Sequence, residues 1–257
     1  MTLQDQIDQL RRERSSTGIF LDFDGTLAPI VEDREAAAIV PGAPEVLSAL
    51  ARLYPVVAFI SGRGAADLYP RVGADGPRYF GLYGAEEMTG NGLVQSPMAE
   101  DWRLAAQMLS DQAAELIRAH ELVGCEVENK DLAVSLHYRH SGEQDPPPAL
   151  AEWARQAAAA NGFQVGVGRM VLELKPRSVS KAAAFEQLAQ KSQVKNALVA
   201  GDDAADVEMM RRSAEVVPGL LLRVGVVSAE APLGMLENSD FQVGAPQEVV
   251  ELLERLL

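Results

Sequence analysis

Asp22 and Asp24 stand one residue apart at the end of the apolar run Ile19-Phe20-Leu21, and Gly25 follows at once. Such a run reads as a strand buried on both faces, the habit of parallel α/β sheets. In those sheets the reactive crevice lies at the carboxyl ends of the strands, where both aspartates fall. Two carboxylates crowded there repel one another and lose hydration, so a compensating charge is needed. A divalent cation held by oxygen ligands is the simplest candidate; a plain Asp-rich turn is the alternative. Asn196-Ala197-Leu198-Val199-Ala200 repeats the pattern and ends in Gly201-Asp202-Asp203, with Asp206 shortly after.

Two further stretches could bind an anion. Val56-Val57-Ala58-Phe59-Ile60 ends in Ser61-Gly62-Arg63-Gly64. A hydroxyl and nearby backbone N–H groups can hold a phosphoryl oxygen there, and Arg63 can pair with phosphate charge. Ser178-Val179-Ser180 opens a helix with Lys181 in its first turn. The helix dipole disfavours a cation at that end, so Lys181 either answers a bound anion or is a solvated surface charge.

The elements that must position these groups follow from the apolar pattern. Leu3, Ile7 and Leu10 predict a short amphipathic helix over 3–13. Residues 29–40 read as a loop or irregular crossover, and 45–53 as a helix with Pro44 in its first turn. A helix is expected over 65–69, then a short strand and glycine-rich loop over 78–86. From Pro97 the texture changes: a helix from Trp102 to His120, strands near 125–130 and 133–139, a helix over 149–161. Two more strands, 164–167 and 170–174, are joined through Gly168-Arg169. That order describes a small α+β unit with an antiparallel sheet. The expected organisation is an α/β, Rossmann-like parallel-sheet core from 1–97 and 176–257, with an inserted α+β cap domain at 98–175. A late strand at 221–227 and a closing helix at 247–257 complete the core.

Composition narrows the partners. With 23 Lys and Arg against 37 Asp and Glu, the net charge is −14. Nucleic acid and anionic membranes need surplus basic charge and are not expected partners. One cysteine, Cys125, excludes an internal disulfide and a cysteine-rich zinc site,. Residues 1–14 lack the apolar core of a signal peptide, and no apolar run reaches membrane-spanning length. A soluble, cytoplasmic protein is expected. Oligomeric state is left open, and a monomer is sufficient.

The motifs Asp22-Phe23-Asp24-Gly25-Thr26-Leu27, Ser61-Gly62-Arg63, Lys181 and Gly201-Asp202-Asp203 resemble, in order and spacing, the four motifs of the haloacid dehalogenase superfamily. The resemblance implies a Mg²⁺-dependent phosphatase with Asp22 as nucleophile, Asp24 as acid and base, and Ser61 and Lys181 on the phosphoryl oxygens. It implies metal ligands from Asp22, the backbone carbonyl of Asp24, and Asp202; Asp203 either ligates the metal or orients Lys181, and Asp206 could be a mere helix N-terminal charge. Within the superfamily the chain is most similar to the trehalose-6-phosphate phosphatases, through Ser-Gly-Arg at 61–63, Glu128-x-Lys130, His137-Tyr138-Arg139 and Glu173. In that family Glu-x-Lys and a later Glu bind sugar hydroxyls, so Glu128, Lys130 and Glu173 become substrate-binding candidates, beside Gly62 and Arg63 at the phosphate. A charged pair can exchange several hydrogen bonds with a polyol, and a surface salt bridge is the plain reading of the same residues. Two positions depart from the family pattern: Tyr83 stands for a usual histidine and Ala205 for a threonine. The expected partner is a small sugar phosphate, trehalose 6-phosphate. A phosphatase of glucosylglycerol phosphate or mannosylglycerate phosphate type, and a non-catalytic sugar-phosphate sensor, are the competing readings.

Overall fold

Each central strand of the larger sheet lies between two apolar layers, and the pleat divides its residues between them. In the computed structural model, which describes residues 1–31, 33–168, 170–228 and 231–257, β1 (Thr17–Leu21) and β2 (Val56–Ile60) are buried along their whole length. Ile19, Leu21, Val57 and Phe59 face one layer, packed under the helices Ala43–Leu53 and Pro246–Glu254. Phe20, Ala58 and Ile60 face the other, where Phe20 meets the ring of Phe185 edge-on at 4.6 Å. The sheet continues with β3 (Arg78–Gly81), β4 (Glu86–Thr89) and β5 (Gly92–Gln95).

The insertion supplies β6 (Glu126–Asn129), β7 (Val134–His137), β8 (Phe163–Gly168) and β9 (Val171–Pro176). The chain then returns to the core through β10 (Asn196–Gly201), β11 (Leu221–Val226) and β12 (Phe241–Val243). The core sheet runs β12-β11-β10-β1-β2-β3-β4-β5. It is parallel from β12 to β3, and β4 joins antiparallel. From β1 the chain proceeds to one side through β2 and β3, and only later fills the other side with β10, β11 and β12. The carboxyl ends of β1 and β10 therefore flank a topological switch point, the place where such sheets open a crevice.

The chain divides into two compact units, Met1–Val94 with Ser180–Leu257, and Gln95–Val179. The second has its own core: Leu109, Leu136, Leu150, Phe163, Leu172 and Leu174 pack the helices Ala99–Ala119 and Pro148–Ala160 onto an antiparallel sheet ordered β6-β7-β9-β8. The expected α/β core and antiparallel inserted sheet are present, and the expected insertion at 98–175 lies inside the second unit. Arg169, expected in the turn between β8 and β9, and Glu32, in the expected 29–40 loop, lie outside the described residues. The hairpin of β4 and β5 was not expected. Its residues are mostly half-exposed or exposed, so burial left no apolar alternation; the signal it does carry is Asn91-Gly92, a hairpin dipeptide.

Candidate active site

Strand pairing carries Asp22 directly to β10. The Asp22 N–H still donates to the Ala200 carbonyl at 3.0 Å, one residue past the end of β1. The chain then turns at Gly25, whose φ is +77°. A Cβ at this position would lie 2.0 Å from Asp202 Oδ2, so only glycine allows the two acidic strand ends to meet. Gly201 does the same on the other side, since a Cβ there would come within 2.1 Å of Asp206 Cγ.

Lys181 enters the cluster from the start of the helix Lys181–Lys191, which Ser180 caps by accepting the Ala183 N–H. Its side chain is 1% exposed. The ammonium lies 2.9 Å from Asp22 Oδ1, 2.9 Å from Asp206 Oδ1 and 3.5 Å from Asp203 Oδ1. Asp203 caps the helix Ala204–Val216, accepting the Asp206 N–H at 2.8 Å. Asp206 returns the bond: its Oδ2 accepts the N–H groups of Asp202 and Asp203, both at 3.1 Å. Both oxygens of the wholly buried Asp206 are thereby engaged, so it acts as the strut between Lys181 and the Asp202-Asp203 backbone.

One ammonium faces four carboxylates here, a charge deficit that burial makes costly. Burial, with Asp203 and Asp202 nearby, pushes Asp22 up to about 7 in spite of Lys181. Burial also pushes Asp202 up to about 7, helped by the charges of Asp206 and Asp203. Burial and Asp203 raise Asp206 well above the ordinary carboxyl range. For Lys181 burial acts downward, but Asp203, Asp206 and Asp22 together hold its pKa well above the usual value. In Asp203, by contrast, burial acts upward but Lys181 and the bonds with Asp206 hold the carboxyl below the ordinary range. The site keeps its lysine charged and resists ionising Asp22, Asp202 and Asp206 unless more positive charge arrives. Asp22, Asp202 and Asp206 each offer an oxygen within 4.8 Å of the other two. An all-carboxylate donor set fits a hard divalent cation. With Asp206 already engaged, Asp22 and Asp202 are the members best placed to take one.

The remaining expected residues sort differently. Asp203, expected as a possible ligand, is a half-exposed helix cap outside that trio. Asp24 turns its carboxylate to Arg63, whose Nε and Nη2 lie 2.7 and 2.8 Å from its two oxygens; its backbone carbonyl is the group it could offer a cation. Arg63, expected on phosphate, is directed to carboxylates. Ser61 is buried, and its Oγ accepts the Arg63 N–H at 3.1 Å, which leaves the hydroxyl proton to donate elsewhere. Gly62 lies under Tyr83: a Cβ at 62 would stand 3.0 Å from the Tyr83 ring and hydroxyl. Leu82 and Tyr83 both hold positive φ, +48° and +59°. Their N–H groups donate to Arg63 and Ser61 carbonyls at 2.8 Å each, and these bonds offset strain of about 1–3 kcal/mol per residue.

In the second unit, register aligns Glu128 on β6, Ser135 on β7 and Glu173 on β9 in one row. Lys130 Nζ lies 3.8 Å from Glu128 and 3.6 Å from Glu173. His137 Nε2 lies 2.9 Å from Glu128 Oε2. Ser135 Oγ is buried and has no hydrogen-bond partner among the described residues.

The fold, a largely parallel sheet with an acidic cluster at its switch point and an inserted α+β unit, resembles that of a haloacid dehalogenase-like hydrolase from Bacteroides thetaiotaomicron, with a TM-score of 0.58 at 15% identity over 95% of this chain and 100% of that one. The family model described as trehalose-phosphatase matches residues 20–227. The chain belongs to the trehalose-phosphatase family. It is 38% identical over 160 residues to a trehalose-phosphate phosphatase of Mycobacterium leprae, covering 62% of this chain and 36% of that one. It is 43% identical over 159 residues to an uncharacterized glycosyl hydrolase of Mycobacterium tuberculosis, covering 62% of this chain and 12% of that one. The chain thus spans well under half the length of the curated relatives it matches. In fold it resembles the trehalose-6-phosphate phosphatase of Aspergillus fumigatus, with a TM-score of 0.70 at 22% identity over 98% of this chain and 96% of that one. No described helix is long and apolar enough to cross a membrane.

Asp206, Asp67 and Glu86 take structural roles at the site that local sequence pattern did not assign to them. Asp206 carried a signal, the capping spacing Asp203-x-x-Asp206. Asp67, four residues after Arg63, had the helical spacing of an ion pair. Glu86, which accepts the Ala65 N–H at 2.6 Å, depends on the pairing of β3 with β4 and had no local signal.

Proposed function

We propose that this chain hydrolyses a sugar phosphate, trehalose 6-phosphate, to the free sugar and inorganic phosphate. The observation that carries the reading is the 2.9 Å contact of Lys181 Nζ with Asp22 Oδ1, beside an Asp202 close enough to share a cation. Lys181 aims one oxygen of Asp22 and leaves the other to attack phosphorus, forming an aspartyl phosphate. Asp24 gives a proton to the departing sugar oxygen and later takes one from the water that cleaves the acyl phosphate. The Ser61 hydroxyl, the backbone at Gly62 and the third proton of Lys181 hold the equatorial oxygens, where charge gathers in phosphoryl transfer. A bound Mg²⁺, held by Asp22, Asp202 and the Asp24 carbonyl, would supply the missing positive charge. Recognition of the sugar hydroxyls is assigned to Glu128, Lys130 and Glu173, because hydrogen-bonding sites reject analogues that lack the partner groups.

The test is phosphate release from trehalose 6-phosphate and a panel of other sugar phosphates, each with Mg²⁺ and with a chelator. Release that is greatest with trehalose 6-phosphate and stops on chelation is the expected result. A higher kcat/KM on another sugar phosphate moves the substrate assignment, with Tyr83 the first residue to account for it. Tight binding with no release on any substrate makes the chain a sensor and overturns the reading.

A further inference from the structure

All three nitrogens of the Arg63 guanidinium end on carboxylates: Nε and Nη2 on Asp24 at 2.7 and 2.8 Å, and Nη1 on Asp67 at 3.1 Å. The arginine is 1% exposed, while Asp24 is 38% exposed, and the Phe23 ring lies 5.6 Å from the guanidinium carbon. Asp67 is held in turn by Arg71 Nε at 2.7 Å. Arg71 donates to the Glu35 and Ala37 carbonyls at 2.8 and 3.2 Å and to the Glu35 carboxylate at 2.5 Å. The result is a chain of alternating charges from Asp24 inward to Arg63 and out again to residues 35–37. Asp24, half in solvent, would otherwise rotate freely; a planar two-point fork fixes both its oxygens and its plane.

We propose that Arg63 is a positioning residue for Asp24 and does not bind the transferred phosphoryl group. The inference rests on the phosphatase reading given above. In the first step the bond from phosphorus to the sugar oxygen breaks as the bond from phosphorus to Asp22 forms. The Asp24 proton passes to the departing oxygen, which leaves as a neutral hydroxyl. The fork takes one lone pair on each Asp24 oxygen, and the second pair on each stays available for that proton. Pinning matters most where the leaving group needs the proton, as an alkoxide does and a nitrophenolate does not.

The experiment compares kcat/KM, which reports leaving-group departure, on trehalose 6-phosphate and on p-nitrophenyl phosphate. Arg63→Gln is expected to lose about 100-fold on the sugar phosphate and to stay within about threefold on the aryl phosphate. Arg63→Lys keeps the charge without the fork and should recover little. In an Asp24→Asn background, Arg63→Gln should add almost nothing, since residues acting through one another are non-additive. Equal losses on both substrates, or an undiminished loss in the Asp24→Asn background, would mean that Arg63 touches the phosphoryl group and would overturn the inference. Should Arg63→Gln fail to fold, the partly exposed Asp67→Asn carries the same comparison: a smaller but sugar-selective loss supports the proposal, and a parallel loss overturns it. Wild-type protein releasing no phosphate from any sugar phosphate is failure of the phosphatase reading; an active wild type with parallel losses is failure of this inference alone.

Discussion

Two charged clusters, each a lysine among carboxylates, are held in opposite ways. Around Lys181 the contacts to Asp22 and Asp206 are 2.9 Å and the side chains are 0–4% exposed. Around Lys130 the contacts are 3.6 and 3.8 Å, and the carboxylates are 20% and 51% exposed. A buried pair is costly to desolvate and more costly to break, whereas an exposed pair contributes about 0–1 kcal/mol. The first cluster is therefore preorganised and electrically frustrated, which suits chemistry. The second can exchange its own partners for those of a polyol at little cost, which suits recognition.

Asp22→Asn should separate chemistry from stability in the first cluster most sharply. Sugar-phosphate turnover is expected to fall about 10⁴-fold or more, as for loss of a nucleophile. The metal-free protein should melt no lower than wild type, because the amide removes a carboxyl that burial already resists ionising. Activity within tenfold of wild type would remove Asp22 from the reaction. Asp206→Ala should do the reverse first: it strips Lys181 of a partner and leaves the Asp202 and Asp203 N–H groups without their acceptor. A loss of about 3–5 kcal/mol is expected, lowering the melting midpoint by roughly 10 °C. An unchanged midpoint would show that Lys181 is held well enough by Asp22 and Asp203.

The raised carboxyls also set a pH dependence. Asp22 and Asp202 go from an ordinary 3.8 to about 7 on folding. Their protonated forms favour the folded state, so this contribution is complete below about pH 4, declines as pH rises, and is gone above about pH 7. A bound cation should matter most where both are ionised. Mg²⁺ at about 100 times its Kd would add about 2.7 kcal/mol at about pH 8. At about pH 5, where protons compete for the same oxygens, it should add much less. Thermal melts with and without Mg²⁺ at the two pH values check this, and equal shifts at both would exclude Asp22 and Asp202 as the ion's ligands.

The same contrast explains what was legible in the sequence. Continuous burial wrote β1, β2 and β10 as unbroken apolar runs, so their ends, and with them Asp22, Ser61 and Asp202, could be located from local pattern. The partner of Arg63 could not, because a guanidinium fork fits a carboxylate and a phosphate equally well. Asp206 read as a surface charge answering a helix dipole; its burial depends on Gly201 admitting it, a contact between backbone and side chain that no periodicity records. The row of Glu128, Ser135 and Glu173 needed the register of three strands, which alternation within one strand leaves open.

The smallest stability effect belongs to the second cluster, and it tests whether loose holding means recognition. Lys130→Met removes an ammonium more than 3.5 Å from either carboxylate. Stability should change by less than about 1 kcal/mol, a shift of no more than about 4 °C in the melting midpoint. If the ammonium donates to sugar hydroxyls, kcat/KM on trehalose 6-phosphate should fall about tenfold, the scale of one charged hydrogen bond, while p-nitrophenyl phosphate turnover stays unchanged. A parallel fall on both substrates would make Lys130 a support of the fold, and no fall on either would reduce the Glu128–Lys130–Glu173 row to a solvated salt bridge, leaving sugar recognition to residues elsewhere on the insertion.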